Sequence, residues 1–96
     1  MSLSFHPLAE RELNDAAHYY DRQNAGLGAA FLDEVERSCA DIGSFPHAGA
    51  AIEGAIRRRM VRRFPYALLY TAHADTIRIV AVMNVRRRPA YWFGRS

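Results

Sequence analysis

The hydrophobic repeat of this chain changes period once, and that change fixes the order of its layers. Before the change, Ala9, Leu13, Ala16, Ala17 and Tyr20 recur at spacings of 4, 3, 1 and 3, which places them on one face of a helix. After a turn-rich break at residues 24–28, Phe31, Val35, Ser38-Cys39 and Ile42 repeat the same spacing. Phe45-Pro46-His47-Ala48-Gly49 then ends the helical pattern, because proline and glycine at that spacing both oppose a further turn. From there, residues 56–64, 66–73 and 76–84 are rich in β-branched and aromatic side chains, the composition of strands. Helices first and strands afterwards make an α+β domain rather than alternating β-α-β units. At 96 residues the chain supports one core, so residues 1–96 are read as a single domain.

Local signals refine this outline. Leu3 to Phe5 form a short apolar stretch before His6-Pro7, and proline at the first helical position with Glu10 and Glu12 in the opening turns marks a helix start. A short N-terminal strand therefore leads into an αα-hairpin. Pro65 cannot donate to a ladder and belongs in a turn between the first two later strands, while Ala74-Asp75 suits a tight hairpin between the last two. The expected sheet is the N-terminal strand plus a three-stranded antiparallel meander, with the helices packed on one face. In the last strand Ile77, Ile79, Ala81 and Met83 alternate with Arg78, Val80, Val82 and Asn84, which predicts that the first set faces the helices.

Charge divides the chain at the same place. All 13 cationic side chains are arginine, and through Ile56 three of them stand against nine acids, a net of −6. From Arg57 onward ten arginines face only Asp75, a net of +9, a local field suited to phosphate, nucleic acid or an acidic protein partner. The second half is the expected working surface. No stretch has the ~18 apolar residues of a membrane span, and the N-terminus lacks the layout of a signal peptide, so a cytoplasmic protein is expected. Cys39 is the lone cysteine and reads as a small buried hydrophobe.

The candidate binding residues follow from these arginines. Arg57-Arg58-Arg59-Met60-Val61-Arg62-Arg63 places arginine on both faces of a strand, so at least one face meets solvent or a ligand. Arg86-Arg87-Arg88 follows the last strand and leads into Pro89-Ala90-Tyr91-Trp92-Phe93. Arginine beside aromatic rings suits phosphate contact with base stacking; Trp92 serves equally as a stacking ring or a core plug, and Phe93 reads as core. Arg58, Arg62, Arg63, Arg78, Arg86, Arg87, Arg88, Tyr91 and Trp92 are the candidate contacts to a target or partner. His6, His18, His47 and His73 form no metal-ligand spacing, and no phosphate loop or dinucleotide-binding motif is present, so neither a metal nor a cofactor is expected. The acids Glu10, Glu12, Asp33 and Glu34 read as solvated helix residues, and His73 as a solvated turn residue.

The ordered set Phe5-His6-Pro7 with Glu10, Leu13, Ala16 and Tyr19-Tyr20, then Gly28 with Phe31 and Glu34-Val35, then Phe45-Pro46 with Gly49, resembles the RelE/ParE toxin superfamily. The second half carries the likeness through Arg62-Arg63-Phe64-Pro65-Tyr66, Tyr70, Ile79-Val80-Ala81-Val82, Arg86 and Pro89-Ala90-Tyr91-Trp92. The resemblance implies the toxin of a type II toxin–antitoxin or plasmid stabilisation pair, silenced in a hetero-oligomer by a cognate antitoxin. RelE-like members cleave messenger RNA on the ribosome, whereas ParE-like members are associated with poisoning DNA gyrase. RelE-like enzymes place an arginine directly after the tyrosine matching Tyr66 and a lysine six positions before it; here those positions hold Ala67 and Met60. Many relatives also carry a histidine near Asn84, which is no general base. The resemblance therefore favours a ParE-like, non-hydrolytic growth inhibitor. The alternatives are a RelE-like ribonuclease using Arg58, Arg62, Arg86, Tyr91 and Trp92, and a non-toxic relic that only binds an antitoxin.

Overall fold

A computed structural model describes residues 2–86 and 91–96. Its first strand, β1 (Ser2–Phe5), runs into helix α1 (Pro7–Gln23) through His6, whose Nδ1 accepts a hydrogen bond from the Leu8 amide at 3.1 Å. The ring thus caps one of the amides that a helix start leaves unpaired, beside a proline that has none to leave. Gly26, at a left-handed φ of 89°, turns the chain into α2 (Leu27–Ser44). The expected break therefore closes earlier than residue 28, and Gly28 already lies in α2. A β-carbon there would stand 2.4 Å from the Ala17 carbonyl oxygen, so glycine sets how closely the two helices approach. The Gly28 amide also donates to the Asp21 carboxylate at 2.8 Å.

Four more strands follow: β2 (Ala50–Glu53), β3 (Ile56–Met60), β4 (Tyr66–His73) and β5 (Thr76–Asn84). They form one sheet in the order β1-β5-β4-β3-β2, with β1 parallel to β5 and every later pairing antiparallel. The α+β architecture expected from the sequence is the one observed, with one strand more. β2 pairs with β3 and is exposed throughout, so it carries no buried-face alternation for a sequence pattern to reveal. The strand expected over residues 56–64 ends at Met60, because the chain turns at Arg63, where φ is 71°.

The helices cover one face. Ala9, Ala16, Ala17, Phe31, Val35 and Ile42 from the helices meet Val61, Phe64, Leu68, Tyr70, Ile77, Ile79 and Val82 from the sheet side. Phe31 is fully buried and touches the rings of Phe64 and Tyr66 at centroid distances of 5.2 and 5.1 Å. Tyr70 is also buried, and its hydroxyl donates to the Pro46 carbonyl at 2.8 Å, holding the loop after α2 against the sheet.

The face assignment of β5 needs correction halfway along the strand. Tyr70 pairs with Ile79 but Leu69 pairs with Ala81, so Val80 is an extra residue, a β-bulge. Ile77 and Ile79 face the helices as expected. Past the bulge the alternation reverses: Val82 joins the helix-side core, while Ala81 and Met83 move to the opposite face with Leu69 and Val80. That second face is also apolar and is closed by Trp92, only 7% exposed, with Tyr91 packed alongside. Of the two roles open to Trp92, the structure gives the core plug. Phe93, expected in the core, is 57% exposed, because its neighbour has taken the inward position.

Candidate functional site

A short β1 leaves part of β5 without a strand neighbour. The last contact between them is the His6 amide to the Ile79 carbonyl at 2.8 Å, where α1 begins. Beyond it, side chains take over as edge partners. The Glu12 carboxylate accepts from the Val82 amide at 3.0 Å, and the Arg95 guanidinium donates to the Val80 carbonyl at 3.1 Å. Glu12 and Arg95 also bind one another through two parallel contacts of 2.9 and 3.0 Å, with side chains 15% and 12% exposed. Arg95 lies 5.2 Å from the Tyr91 ring centroid, which adds a cation–π contact. Glu12, read from sequence as a solvated helix residue, is thus a sheet-edge cap. Its partner is 83 positions away, beyond the reach of any local pattern.

Further along the same edge a groove of about 630 Å³ opens between α1 and the end of β5. Glu12, Asp15, Ala16, Tyr19 and Tyr20 of α1 line one side; Pro65, Tyr66, Val82, Asn84 and Arg86 line the other. Tyr20 stands edge-on to both of the other tyrosines, at 5.4 Å from Tyr19 and 6.1 Å from Tyr66. Burial, then the neighbouring phenols of Tyr66 and Tyr19, raise the Tyr20 hydroxyl above its ordinary pKa; the Arg86 charge opposes the rise. The groove therefore offers ring surface and phenolic hydroxyls, and its lining includes the Arg86 cation and the exposed Asp15. Arg86 makes no ion pair among the described residues, and its backbone amide is held by the Asn84 side chain at 2.9 Å.

The other predicted contacts do not gather in this groove. Arg58 pairs across from Leu69 and so projects on the opposite face of the sheet, exposed. Arg62 lines a smaller groove of about 370 Å³ against α2, among Glu34, Arg37, Ser38, Asp41, Arg59 and Met60. The charges there are largely neutralised internally, by Arg37 on Glu34 at 2.9 Å and Arg59 on Asp41 at 3.0 Å. Arg63 lies over the Phe64 ring at 5.5 Å. Arg78 reaches Ser4 Oγ and the Phe5 carbonyl, both at 3.1 Å, and the Ser96 carbonyl at 3.3 Å, so it ties β1 and the C-terminal residues to β5. Tyr91 and Trp92 pack against the second face. Arg87 and Arg88 lie outside the described residues. Among the described residues no group of three histidine, cysteine or acidic side chains is placed to hold a metal.

The model of the family described as the ParE toxin of the type II toxin–antitoxin system, parDE, matches residues 3–89. The chain belongs to the ParE toxin family. Its fold is similar to that of a chain in the structure "Chromosomal ParDE TA system from P. aeruginosa", with a TM-score of 0.76. The match covers 88% of this chain and 95% of that one, at 15% identity. Among curated proteins none matches.

For a ParE-family chain the informative residues include several that sequence reasoning did not single out as a site. Tyr19, Tyr20, Tyr66 and Asn84 come together with Arg86 because the bulge at Val80 turns the end of β5 towards α1. Were these same residues paired as a regular strand without the bulge, strict alternation from Ile79 would carry Val82, Asn84 and Arg86 to the opposite face. The tyrosine pair at 19 and 20 was the available signal: Tyr20 continues the stripe of Ala9, Leu13, Ala16 and Ala17 whereas Tyr19 falls off it, and Tyr19 is 48% exposed.

Proposed function

We propose that this ParE-family chain is a growth-inhibiting toxin that binds and poisons DNA gyrase without cutting nucleic acid, and that a cognate antitoxin silences it in a cytoplasmic hetero-oligomer. What supports a non-hydrolytic mode is the pairing of Met60 with Ala67 across β3 and β4. These are the two positions at which RelE-like enzymes place cations, and here they are cross-strand neighbours holding a thioether and a fully buried methyl group. General acid–base assistance contributes about 10²- to 10⁴-fold to a rate, and neither side chain supplies it. The groove at Arg86 holds no histidine among its described lining, and arginine is a poor proton acceptor near neutral pH.

Two assays run in parallel test the reading. The chain is added to an in vitro translation reaction probed for cuts in the ribosomal A site, and to a gyrase supercoiling reaction. Loss of supercoiling with intact message is the expected result. Site-specific cleavage that disappears in Arg86→Ala would replace this reading with a ribonuclease. Silencing is tested separately by co-expressing the product of the adjoining reading frame: growth restored, with a stable complex purified, is the expected outcome.

A further inference from the structure

We propose that the groove between α2 and the turn joining β3 to β4 binds a phosphate group. This groove, of about 370 Å³, shares no lining residue with the one at Arg86. Glu34, Ser38 and Asp41 follow one another at spacings of 4 and 3, so one helical stripe of α2 forms a wall, and Arg59, Met60 and Arg62 face it. Most of the polar groups here are engaged, Arg37 with Glu34 and Arg59 with Asp41. Two are not. Ser38 is only 4% exposed and opens onto the groove, yet its hydroxyl makes no hydrogen bond among the described residues. Arg62 lines the same groove and makes no ion pair among the described residues. A buried hydroxyl without a partner is uncommon in a folded chain and points to a group that completes it.

The turn that carries Arg62 adds main-chain donors. The Val61 amide closes it on the Tyr66 carbonyl at 2.9 Å, and the Tyr66 amide returns to the Phe64 carbonyl at 2.8 Å. Between these bonds the amides of Arg62 and Arg63 meet no acceptor among the described residues. Arg63 holds a left-handed φ of 71°, which glycine or asparagine would adopt at less cost, and its guanidinium lies over the Phe64 ring at 5.5 Å. Successive amides in such a turn form a seat for an anion. The unengaged groups are thus all donors, and three guanidinium groups stand against two carboxylates in the groove, leaving one positive charge. Because the donors come from two walls, they suit a tetrahedral group, whose oxygens do not share a plane, better than a flat carboxylate. The phosphate is either free, as the ion or a small ester, or part of a nucleic-acid backbone. This inference does not depend on which target the chain poisons.

The test titrates the full-length chain with sodium phosphate at constant ionic strength and follows the backbone amides by heteronuclear NMR. The amides of Arg62 and Arg63 are expected to shift and saturate. Ser38→Ala should weaken binding by about 3- to 10-fold, the effect of one hydrogen bond, and Arg62→Gln by about tenfold or more. Arg22→Gln, on the exposed end of α1, should leave it unchanged. A short DNA duplex tells the two sources apart. Shifts of the same amides by the duplex, reversed by free phosphate and weakened as salt rises, assign the backbone, whereas shifts by phosphate alone assign the free ion or ester; both results support the site. No shift at Arg62 and Arg63 at tens of millimolar phosphate overturns the proposal. Equal shifts with acetate overturn it too, as does undiminished binding in both Ser38→Ala and Arg62→Gln.

Discussion

Two helices of 17 and 18 residues close one face of the sheet, and the six residues 91–96 close the other. Under the helices, side chains from both helices interlock with three strands and with the rings around Phe31. On the opposite face a single indole covers Leu69, Val80 and Ala81, and the chain that carries it is fastened by Arg95 to Glu12 and by the Ser96 carbonyl to Arg78. The first covering is held by buried area spread over many residues. The second depends on a few polar contacts that each hold several groups together. Stability should therefore be lost differently from the two sides.

The largest effect is expected from Phe31→Ala. Removing a fully enclosed ring should cost ~3–5 kcal/mol, enough to leave much of a small domain unfolded, as urea titration followed by circular dichroism would show. Trp92→Ala should cost about 2–3 kcal/mol, because one flank of the indole borders solvent and the site can partly collapse. Should Trp92→Ala prove as costly as Phe31→Ala, the two coverings are equal in strength and the contrast fails. Glu12→Ala should come next, at about 1–2 kcal/mol: it frees the Val82 amide and leaves Arg95 half-buried without its carboxylate. A double-mutant cycle with Arg95→Ala sharpens this, since coupling near zero would mean that the pair is not what fastens the C-terminal residues.

The smallest effect concerns pH. Burial, then the Glu36 charge, push the Cys39 thiol up to about 11, so the folded chain keeps a proton that the unfolded chain releases near pH 8.5. A folded pKa raised in this way makes stability fall as pH rises between those values. Denaturation midpoints measured from pH 8 to pH 10 should decline less steeply in Cys39→Ala, and an identical slope would mean that Cys39 is not a source of the decline.

Much of this was legible in the sequence, for identifiable reasons. Both helices, β4, β5 and the two-residue turn at Ala74-Asp75 were visible because each buries one periodic stripe or is bounded by turn chemistry. Where both faces of a strand are apolar, the pattern loses its direction. From Val80 to Met83 every residue is hydrophobic, so the bulge left no mark on composition and Ala81 was assigned to the wrong face. The same ambiguity let Phe93 stand in for Trp92, adjacent rings of which one turned inward. The arginine run on β3 marked the basic half correctly but not its geometry, since Arg57 spends its charge on the His47 and Gly49 carbonyls and Arg59 on Asp41. Glu12 and the tyrosine groove were hidden because they join α1 to the far end of the chain, a contact that no window of neighbouring residues contains.

The bulge at Val80 also implies an unusual pattern of tolerance to genetic change. Val80 and Ala81 share the face away from the helices, so deleting codon 80 removes the extra residue and leaves Ala81 to Arg86 on the faces they already occupy. Deleting codon 82 or 83 instead keeps the bulge and swaps the faces of the residues after it, so that Asn84 and Arg86 would leave the α1 side. In a library of single-codon deletions, position 80 should therefore be tolerated far better than positions 82 and 83, with loss of the groove confined to the latter.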